Sequence, residues 1–130
     1  MIIKPDAVKA HHIGDIVARV EREGFRITGL RLLELSKAQA ESFYEIHKER
    51  PFFNDLVAYM TSGPVVVGRL ERDGAVEKWR EVLGATNPEN AADGTIRKLY
   101  GTNIENNAAH GSDSAENGML ETDFFFAARW

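Results

Sequence analysis

The sequence contains no cysteine among its 130 residues, so disulfide bonds and thiolate metal sites are excluded. A reducing compartment fits this composition, and we expect a cytoplasmic location. Long hydrophobic runs are also lacking: stretches such as residues 64–67 are far too short to span a bilayer. The chain reads as folded structure from its first residues, so we expect neither a signal peptide nor a membrane partner.

The chain also lacks an excess of basic residues. Its formal net charge is -4, which argues against binding a specific nucleic acid, because such proteins normally present a basic face. Hydrophobic residues make up 43% and charged residues 28%, as is typical of a globular protein. A chain of this length without linkers or repeats is predicted to form one domain over residues 1–130.

Strand-like and helix-like patterns alternate along the chain. Ser36 and Gln39 match a capping box, which predicts the start of a helix, and Pro5 ends the first apolar strand. The elements indicated are strands at 1–4, 25–35 and 65–67, and helices at 13–20, 37–47, 52–60, 75–83, 95–100 and from about 114. This order predicts an α/β (α+β) sandwich of the ferredoxin-like type, with an antiparallel sheet covered by helices. The strand order cannot be read from the pattern.

The strongest chemical signal is the segment 107–113, Asn-Ala-Ala-His-Gly-Ser-Asp. A neutral imidazole at His110 would have a lone pair free to attack phosphorus. Asp113 and Glu116 resemble another capping box, and a helix beginning near Ser114 would favour nearby anions through its N–H groups. An alternative interpretation is a loop histidine followed by an ordinary helix cap.

Three cations lie near loops or element ends. Lys4 follows a strand, Arg80 lies near the end of the predicted helix 75–83, and Arg97 follows a turn. Guanidinium and ammonium groups neutralise phosphate oxygens, which is the main requirement of phosphoryl transfer. Taken singly, each arginine is more often a surface charge. No phosphate-binding loop of the Gly-x-x-x-x-Gly-Lys-Ser/Thr type is present.

The pair Phe52 and Phe53 follows Pro51, at a point where the chain restarts. An exposed aromatic ring could stack on a nucleobase, because every base has a π face. The alternative, two core phenylalanines, is the interpretation that the sequence alone favours. The remaining histidines lack partners at metal-ligand spacing and are interpreted as ordinary surface or capping residues; they are His11, His12 and His47.

These signals occur together in one family. The segment Asn107-x-x-His110-Gly111-Ser112-Asp113 resembles the active-site signature of nucleoside diphosphate kinases, Asn-x-x-His-Gly/Ala-Ser-Asp. Further blocks of that family follow in order over residues 1–126; they lie at residues 3–6, 24–25, 50–53, 62–65, 84–88 and 94–97. The resemblance therefore covers almost the whole chain.

The resemblance implies a ping-pong reaction in which a nucleoside triphosphate phosphorylates His110 and a nucleoside diphosphate then collects the phosphate. His110 is expected to react at Nδ1, with Glu121 orienting its ring and Ser112 supporting Glu121. Tyr44 matches a tyrosine close to the histidine, and Lys4 matches a group that contacts the transferring phosphate. Glu121 lies about two turns into the last helix, so its contact with His110 requires the loop to fold back.

The resemblance also implies a nucleotide site. Arg80, Thr86 and Arg97 match phosphate ligands, while Lys4 and Asn107 match groups that bind the sugar hydroxyls. Phe52 is expected to stack on the base, with Ile104 on the other face and Leu56 nearby. Stacking without contacts to the hydrogen-bonding edge predicts broad base specificity.

The expected cofactor is Mg²⁺, held mainly by the nucleotide phosphates with no direct protein ligands. The expected partners are nucleoside di- and triphosphates and further copies of the chain, in a hexamer or tetramer. The alternative is a non-catalytic nucleotide-binding or regulatory module on the same scaffold. Such a module would be expected to have lost at least one site residue, and His110, Lys4, Arg80, Arg97 and Glu121 are all present.

Overall fold

The computed structural model describes residues 1–126; residues 127–130 of the predicted domain lie outside the described part. Four strands form one antiparallel sheet in the order β2-β3-β1-β4. The strands are β1 (Ile2–Ile3), β2 (Arg26–Leu33), β3 (Val65–Glu71) and β4 (Ala109–His110). This arrangement confirms the predicted α+β sandwich with an antiparallel sheet, and its strand order is that of a ferredoxin-like fold.

Seven α-helices connect and cover the strands in the described range. They are α1 (Pro5–Lys9), α2 (Ile13–Arg22), α3 (Lys37–Phe43), α4 (Phe53–Met60), α5 (Ala75–Leu83), α6 (Ile96–Tyr100) and α7 (Ala115–Phe126). Short 3₁₀ helices occupy Glu45–His47 and Pro88–Asn90. Within residues 1–126, no helix combines the length and apolar character that crossing a membrane requires.

Both faces of the sheet are buried, which explains why β3 begins with three consecutive valines. Val66 and Ile3 pack into the cluster that contains α2, α5 and α6, whereas Val65, Val67 and Ile2 pack into the cluster on the opposite face with α3 and α4. Successive side chains of a strand point to opposite faces, so a run without polar residues is needed where both faces are covered. The predicted strand at residues 65–67 is confirmed and extends to Glu71.

The strand predicted at residues 25–35 is confirmed as β2, but the alternation of apolar and polar residues that indicated it does not place its later leucines in the core. A register irregularity between Ile27 and Gly29 shifts the pairing with β3, and β2 is an edge strand. Leu30 and Leu32 consequently lie on the surface, 45% and 65% exposed. A one-residue irregularity reverses the face of every later side chain, which composition alone does not reveal.

Two short elements beside the site escape the sequence patterns. Pro5 not only follows the first strand but occupies the first position of α1, where its missing N–H costs nothing. Strand β4 is two residues long, and its pairing with β1 defines it. Elements this short have no periodicity, so only their tertiary partners identify them.

The start of α7 also differs from expectation. Ser114, not Asp113, caps the helix: its Oγ accepts a hydrogen bond from the backbone N–H of Asn117 at 3.1 Å. The Asp113 carboxylate instead accepts from the Asn117 side chain at 2.6 Å. The predicted capping box of Asp113 with Glu116 is therefore wrong by one residue, and the helix begins at Ala115. By contrast, the capping box of Ser36 and Gln39 at α3 is confirmed.

Candidate active site

The pairing of β1 with β4 places the candidate histidine at the sheet edge. Ile2 lies opposite His110 and Ile3 opposite Ala109, so the residues after β1 and those before β4 meet at one end of the strands. The backbone N–H of Lys4 donates to the Ala108 carbonyl at 2.9 Å. Lys4 and the segment 107–110 are thus brought together although about a hundred residues separate them in the chain.

The loop after β4 folds back so that α7 supplies a carboxylate to the histidine. His110 Nε2 lies 2.6 Å from Glu121 Oε1, and the Ser112 hydroxyl donates to the same oxygen at 3.0 Å. An ionised carboxylate can only accept, so Nε2 carries the proton and Nδ1 retains its lone pair. The two side chains are 24% and 26% exposed, so most of the surface of the pair is shielded from solvent.

Electrostatics keep this pair in the state that nucleophilic attack requires. Burial lowers the pKa of His110, and although Glu121 acts in the opposite direction, the pKa stays below its usual 6.5. Burial would raise the pKa of Glu121, but its hydrogen bonds with His110 and Ser112 act in the opposite direction, and the pKa is lowered. At pH 7 the site therefore holds a neutral imidazole beside an ionised carboxylate.

Aromatic side chains surround the histidine. Phe43 meets the imidazole edge-on, with ring centroids 5.8 Å apart, and Trp79 Nε1 donates to the His110 carbonyl at 3.2 Å. Tyr44 follows Phe43 and is buried, and its hydroxyl has no hydrogen-bond partner within the described residues. Burial raises the pKa of Tyr44, so its hydroxyl stays protonated and can donate to an incoming acceptor.

Lys4 and Asn107 form a buried polar pair. Lys4 Nζ donates to Asn107 Oδ1 at 2.8 Å, and Asn107 Nδ2 donates to the Thr86 carbonyl at 3.0 Å. Burial lowers the pKa of Lys4 to about 8, and the positive charge of Arg97 adds to this effect while Asp6 opposes it. An ammonium group held this way gains strongly from an anion that enters the site.

Backbone carbonyl oxygens hold the Arg97 guanidinium in place without using all of its N–H donors. Its two terminal nitrogens donate to the carbonyls of Gly84 and Ala109 at 3.1 and 3.0 Å. Its Nε is buried and lacks a partner among the described residues. Burial lowers the pKa of Arg97, and the positive charge of Arg80 adds to this. The two guanidinium groups are therefore close enough to repel, as is typical of cations that share an anionic ligand.

The residues expected to contact a base are solvent-accessible. Phe52 and Ile104 are 48% and 52% exposed, and Leu56 is partly buried. The ring of Phe52 lies 5.6 Å from that of His47. The alternative interpretation of Phe52 and Phe53 as two core residues is confirmed only for Phe53, because Phe53 is buried and Phe52 is not.

Sequence reasoning assigned no role to three residues beside the histidine or the turn before it, namely Phe43, Trp79 and Asp6. Phe43 and Trp79 contact the histidine directly, as described above. Asp6 accepts hydrogen bonds from the Ala108 backbone N–H and from the Tyr59 hydroxyl. Asp6 lies in the block at residues 3–6 that resembles the family, so the sequence pointed to this position. No feature of the sequence points to Phe43 or Trp79.

In the described part of the chain, no three histidine, aspartate or glutamate side chains converge as metal ligands. Lys4 and Arg97 lie close enough for their charges to affect one another, an arrangement suited to binding an anion. A divalent cation at this site would need most of its ligands from the anion itself.

Known proteins that match this chain share one description. The family model described as "Nucleoside diphosphate kinase" matches residues 1–129. The nucleoside diphosphate kinase of Geobacter sulfurreducens is 57% identical over 126 residues, covering 97% of this chain and 92% of the relative. That of Halorhodospira halophila is 58% identical over 127 residues, covering 98% and 90%.

Solved structures give the same result. The nucleoside diphosphate kinase of Aquifex aeolicus superimposes with a TM-score of 0.95 at 42% identity, covering 96% of this chain and 91% of that one. The nucleoside diphosphate kinase of Halobacterium salinarum, solved in complex with CDP, has a TM-score of 0.93 at 37% identity, covering 98% and 85%.

Proposed function

The chain belongs to the nucleoside diphosphate kinase family, and on this premise we propose that His110 carries the phosphate between nucleotides in a ping-pong reaction. The activity is that of a phosphotransferase that moves the terminal phosphate of a nucleoside triphosphate to a nucleoside diphosphate. The observation that carries the assignment of His110 is its contact with Glu121, which leaves Nδ1 as the free nucleophile.

The first half-reaction begins with attack of the Nδ1 lone pair on the γ-phosphorus. The bond from that phosphorus to the bridging oxygen breaks, and the nucleoside diphosphate leaves with the electron pair. Phosphorylation makes the ring cationic, and Glu121 stabilises that charge through Nε2. In the second half, a terminal oxygen of the acceptor diphosphate attacks the phosphorus, and the P–N electrons return to Nδ1.

Cations around the histidine would stabilise the transferring phosphate. Lys4 and the unused donors of Arg97 lie near Ala109, next to the nucleophile, and Arg80 and Thr86 are the further phosphate ligands that we propose. Tyr44 would donate its hydroxyl hydrogen to the same group. Each well-placed donor is worth about 2.7–4 kcal/mol by analogy with oxyanion-hole deletions.

Phosphate transfer of this kind typically requires a divalent cation, and we propose Mg²⁺. The donor set described above fits a cation held by the nucleotide phosphates with no direct protein ligand. When bound, it neutralises part of the phosphate charge. The protein residues then have to orient the phosphate chain and the histidine.

The nucleoside would be held without reading the base. Phe52 and Ile104 offer exposed apolar surface for stacking, with Leu56 beside them, and Asn107 with Lys4 would bind the sugar hydroxyls. The relative from Halobacterium salinarum was solved in complex with CDP, which supports a nucleoside diphosphate as a ligand of this site. We therefore propose broad base specificity.

We propose further that residues 1–130 form one catalytic domain, that it works in the cytoplasm, and that it assembles into a hexamer or tetramer. Assembly is supported by Leu30 and Leu32, which lie exposed on an edge strand. Light scattering tests the assembly, and a stable monomer with full activity would contradict it. Subcellular fractionation tests the location.

The test of the proposed function is incubation with γ-labelled ATP and magnesium, without acceptor, for the parent protein and His110→Ala. Acid-labile label on the parent alone, released as labelled GTP when GDP is added, is the expected result. Label on neither protein would favour the non-catalytic nucleotide-binding module. Label on both would place the phosphate on another residue.

A further inference from the structure

The residue two positions before the candidate nucleophile has a strained backbone. Ala108 has a φ of 76°, although it carries a side chain, and the N–H of Ala109 donates to the carbonyl of Asn107 at 3.0 Å. Positive φ with a hydrogen bond that spans three residues defines the rarer, strained form of γ-turn. Such a backbone persists only where its surroundings hold it in place.

Asp6 supplies that support from the other end of the chain. Its Oδ2 accepts a hydrogen bond from the Ala108 N–H at 3.1 Å, while its Oδ1 accepts from the Tyr59 hydroxyl. Ala108 is completely buried, so its N–H would lack any partner without this carboxylate. On the other side of the peptide, the Ala108 carbonyl accepts from the backbone of Lys4.

The two ends of the turn carry different parts of the site. Asn107, before the turn, binds the Lys4 ammonium, and His110 follows one residue after Ala109. The conformation of Ala108 therefore sets where the imidazole lies relative to the buried Lys4–Asn107 pair. A shift of about 1 Å between reacting groups can cost a hundredfold in rate.

We propose that Asp6 is a positioning residue for phosphate transfer, which clamps the γ-turn at Ala108 and so places His110 against the nucleotide. Asp6 acts through the backbone and does not touch the phosphate, and Tyr59 orients its carboxylate from α4. This inference rests on the proposed function, because it assigns the clamp to the same reaction.

A carboxylate here could matter for two other reasons. Asp6 lies in the first turn of α1, where any acidic residue stabilises the helix, and it lies close enough to Lys4 to affect the pKa of that ammonium. Asp15→Ala controls for the first effect, since Asp15 is an exposed acidic residue in the first turn of α2. Asp6→Asn controls for the second, because it removes the charge but retains an oxygen that can accept from Ala108.

The experiment measures the rate of histidine labelling by γ-labelled ATP, together with KM and kcat, at pH 7. We expect Asp6→Ala to slow labelling about a hundredfold, mainly through kcat, while Asp6→Asn and Asp15→Ala keep most of the parent rate. The double variant Asp6→Ala with Ala108→Gly should recover about tenfold, since glycine adopts positive φ without strain. Circular dichroism and thermal melting confirm that each variant is folded.

Labelling of Asp6→Ala at the parent rate would overturn the inference, and so would an equal loss in Asp6→Asn or an unimproved rate in the double variant. A rate restored by glycine is not expected of a residue that only supports the fold, because glycine adds chain entropy to the unfolded state. If the parent protein takes up no label at all, the proposed function has failed and not the role of Asp6.

Discussion

Replacing Glu121 with glutamine tests whether the carboxylate sets the reactive nitrogen of His110. The change keeps the shape of the side chain but removes its charge and adds an amide that can donate to Nε2. A donor at Nε2 favours the tautomer with the proton on Nδ1, which has no lone pair for attack. We therefore expect Glu121→Gln to slow phosphorylation of the histidine without preventing nucleotide binding.

The magnitude follows from the contacts. Glu121 Oε1 makes a short hydrogen bond of 2.6 Å to Nε2 and another of 3.0 Å to Ser112. A hydrogen bond to a charged group contributes about 1.5–3 kcal/mol, which corresponds to a rate loss of about 10- to 150-fold. Ser112→Ala removes a hydrogen bond that orients the carboxylate but leaves the contact of Glu121 with His110 in place, so a smaller rate loss than for Glu121→Gln is expected.

The assay is quenched-flow labelling with γ-labelled ATP, with nucleotide dissociation constants measured separately on the same proteins. Glu116→Gln serves as the matched control, since Glu116 is exposed in the first turn of the same helix. The order of rates should be parent and Glu116→Gln first, then Ser112→Ala, then Glu121→Gln. Labelling of Glu121→Gln at the parent rate, or a larger loss for Ser112→Ala, would refute the role assigned to the carboxylate.

Three further predictions concern pH, base stacking and helix stability. The pH profile of kcat/KM should be bell-shaped, because protonation of His110 removes activity below a pKa under 6.5 and loss of the Lys4 charge removes it above a pKa of about 8. An acid limb centred above pH 6.5 would contradict the assignment of His110, and activity that stays constant from pH 7 to 9 would contradict that of Lys4. Phe52→Ala should raise KM by a similar factor for every nucleotide, because stacking does not distinguish one base from another. Steady-state kinetics with purine and pyrimidine diphosphates measure this, and a rise in KM confined to purines or to pyrimidines would contradict it. Gly118→Ala should stabilise α7 by about 0.5–1 kcal/mol, because glycine inside a helix loses more chain entropy on folding than alanine does. The added methyl has room, since it would lie 3.7 Å from Ser112, an ordinary contact. Thermal melting should show a higher Tm, and a lower Tm would show strain at this position.

Much of the fold could be predicted from local patterns. Val65–Val67 is a run of β-branched residues without charge, and only a strand covered on both faces accommodates it. Ser36 and Gln39 carry the capping chemistry within four residues, so the start of α3 followed from the sequence. Where the signal depended on register or on a neighbour, the element was predicted but its detail was wrong, as for the alternation along β2 and the capping residue of α7.

Residue types and short motifs were enough to identify the reactive groups of this protein. His110 lies beside Gly111 and Ser112, the cations are present, and the ordered family blocks identify the reaction class. These are properties of residue types and short spacings, which do not depend on how distant segments meet.

The contacts between those groups are visible only in the tertiary structure. Glu121 reaches His110 because the loop after β4 folds back onto α7, and Lys4 reaches Asn107 across 103 positions of the chain. Asp6 supports the turn at Ala108 across 102 positions. A hydrogen bond depends on distances of about 3 Å and on direction, and the sequence separation of two residues constrains neither.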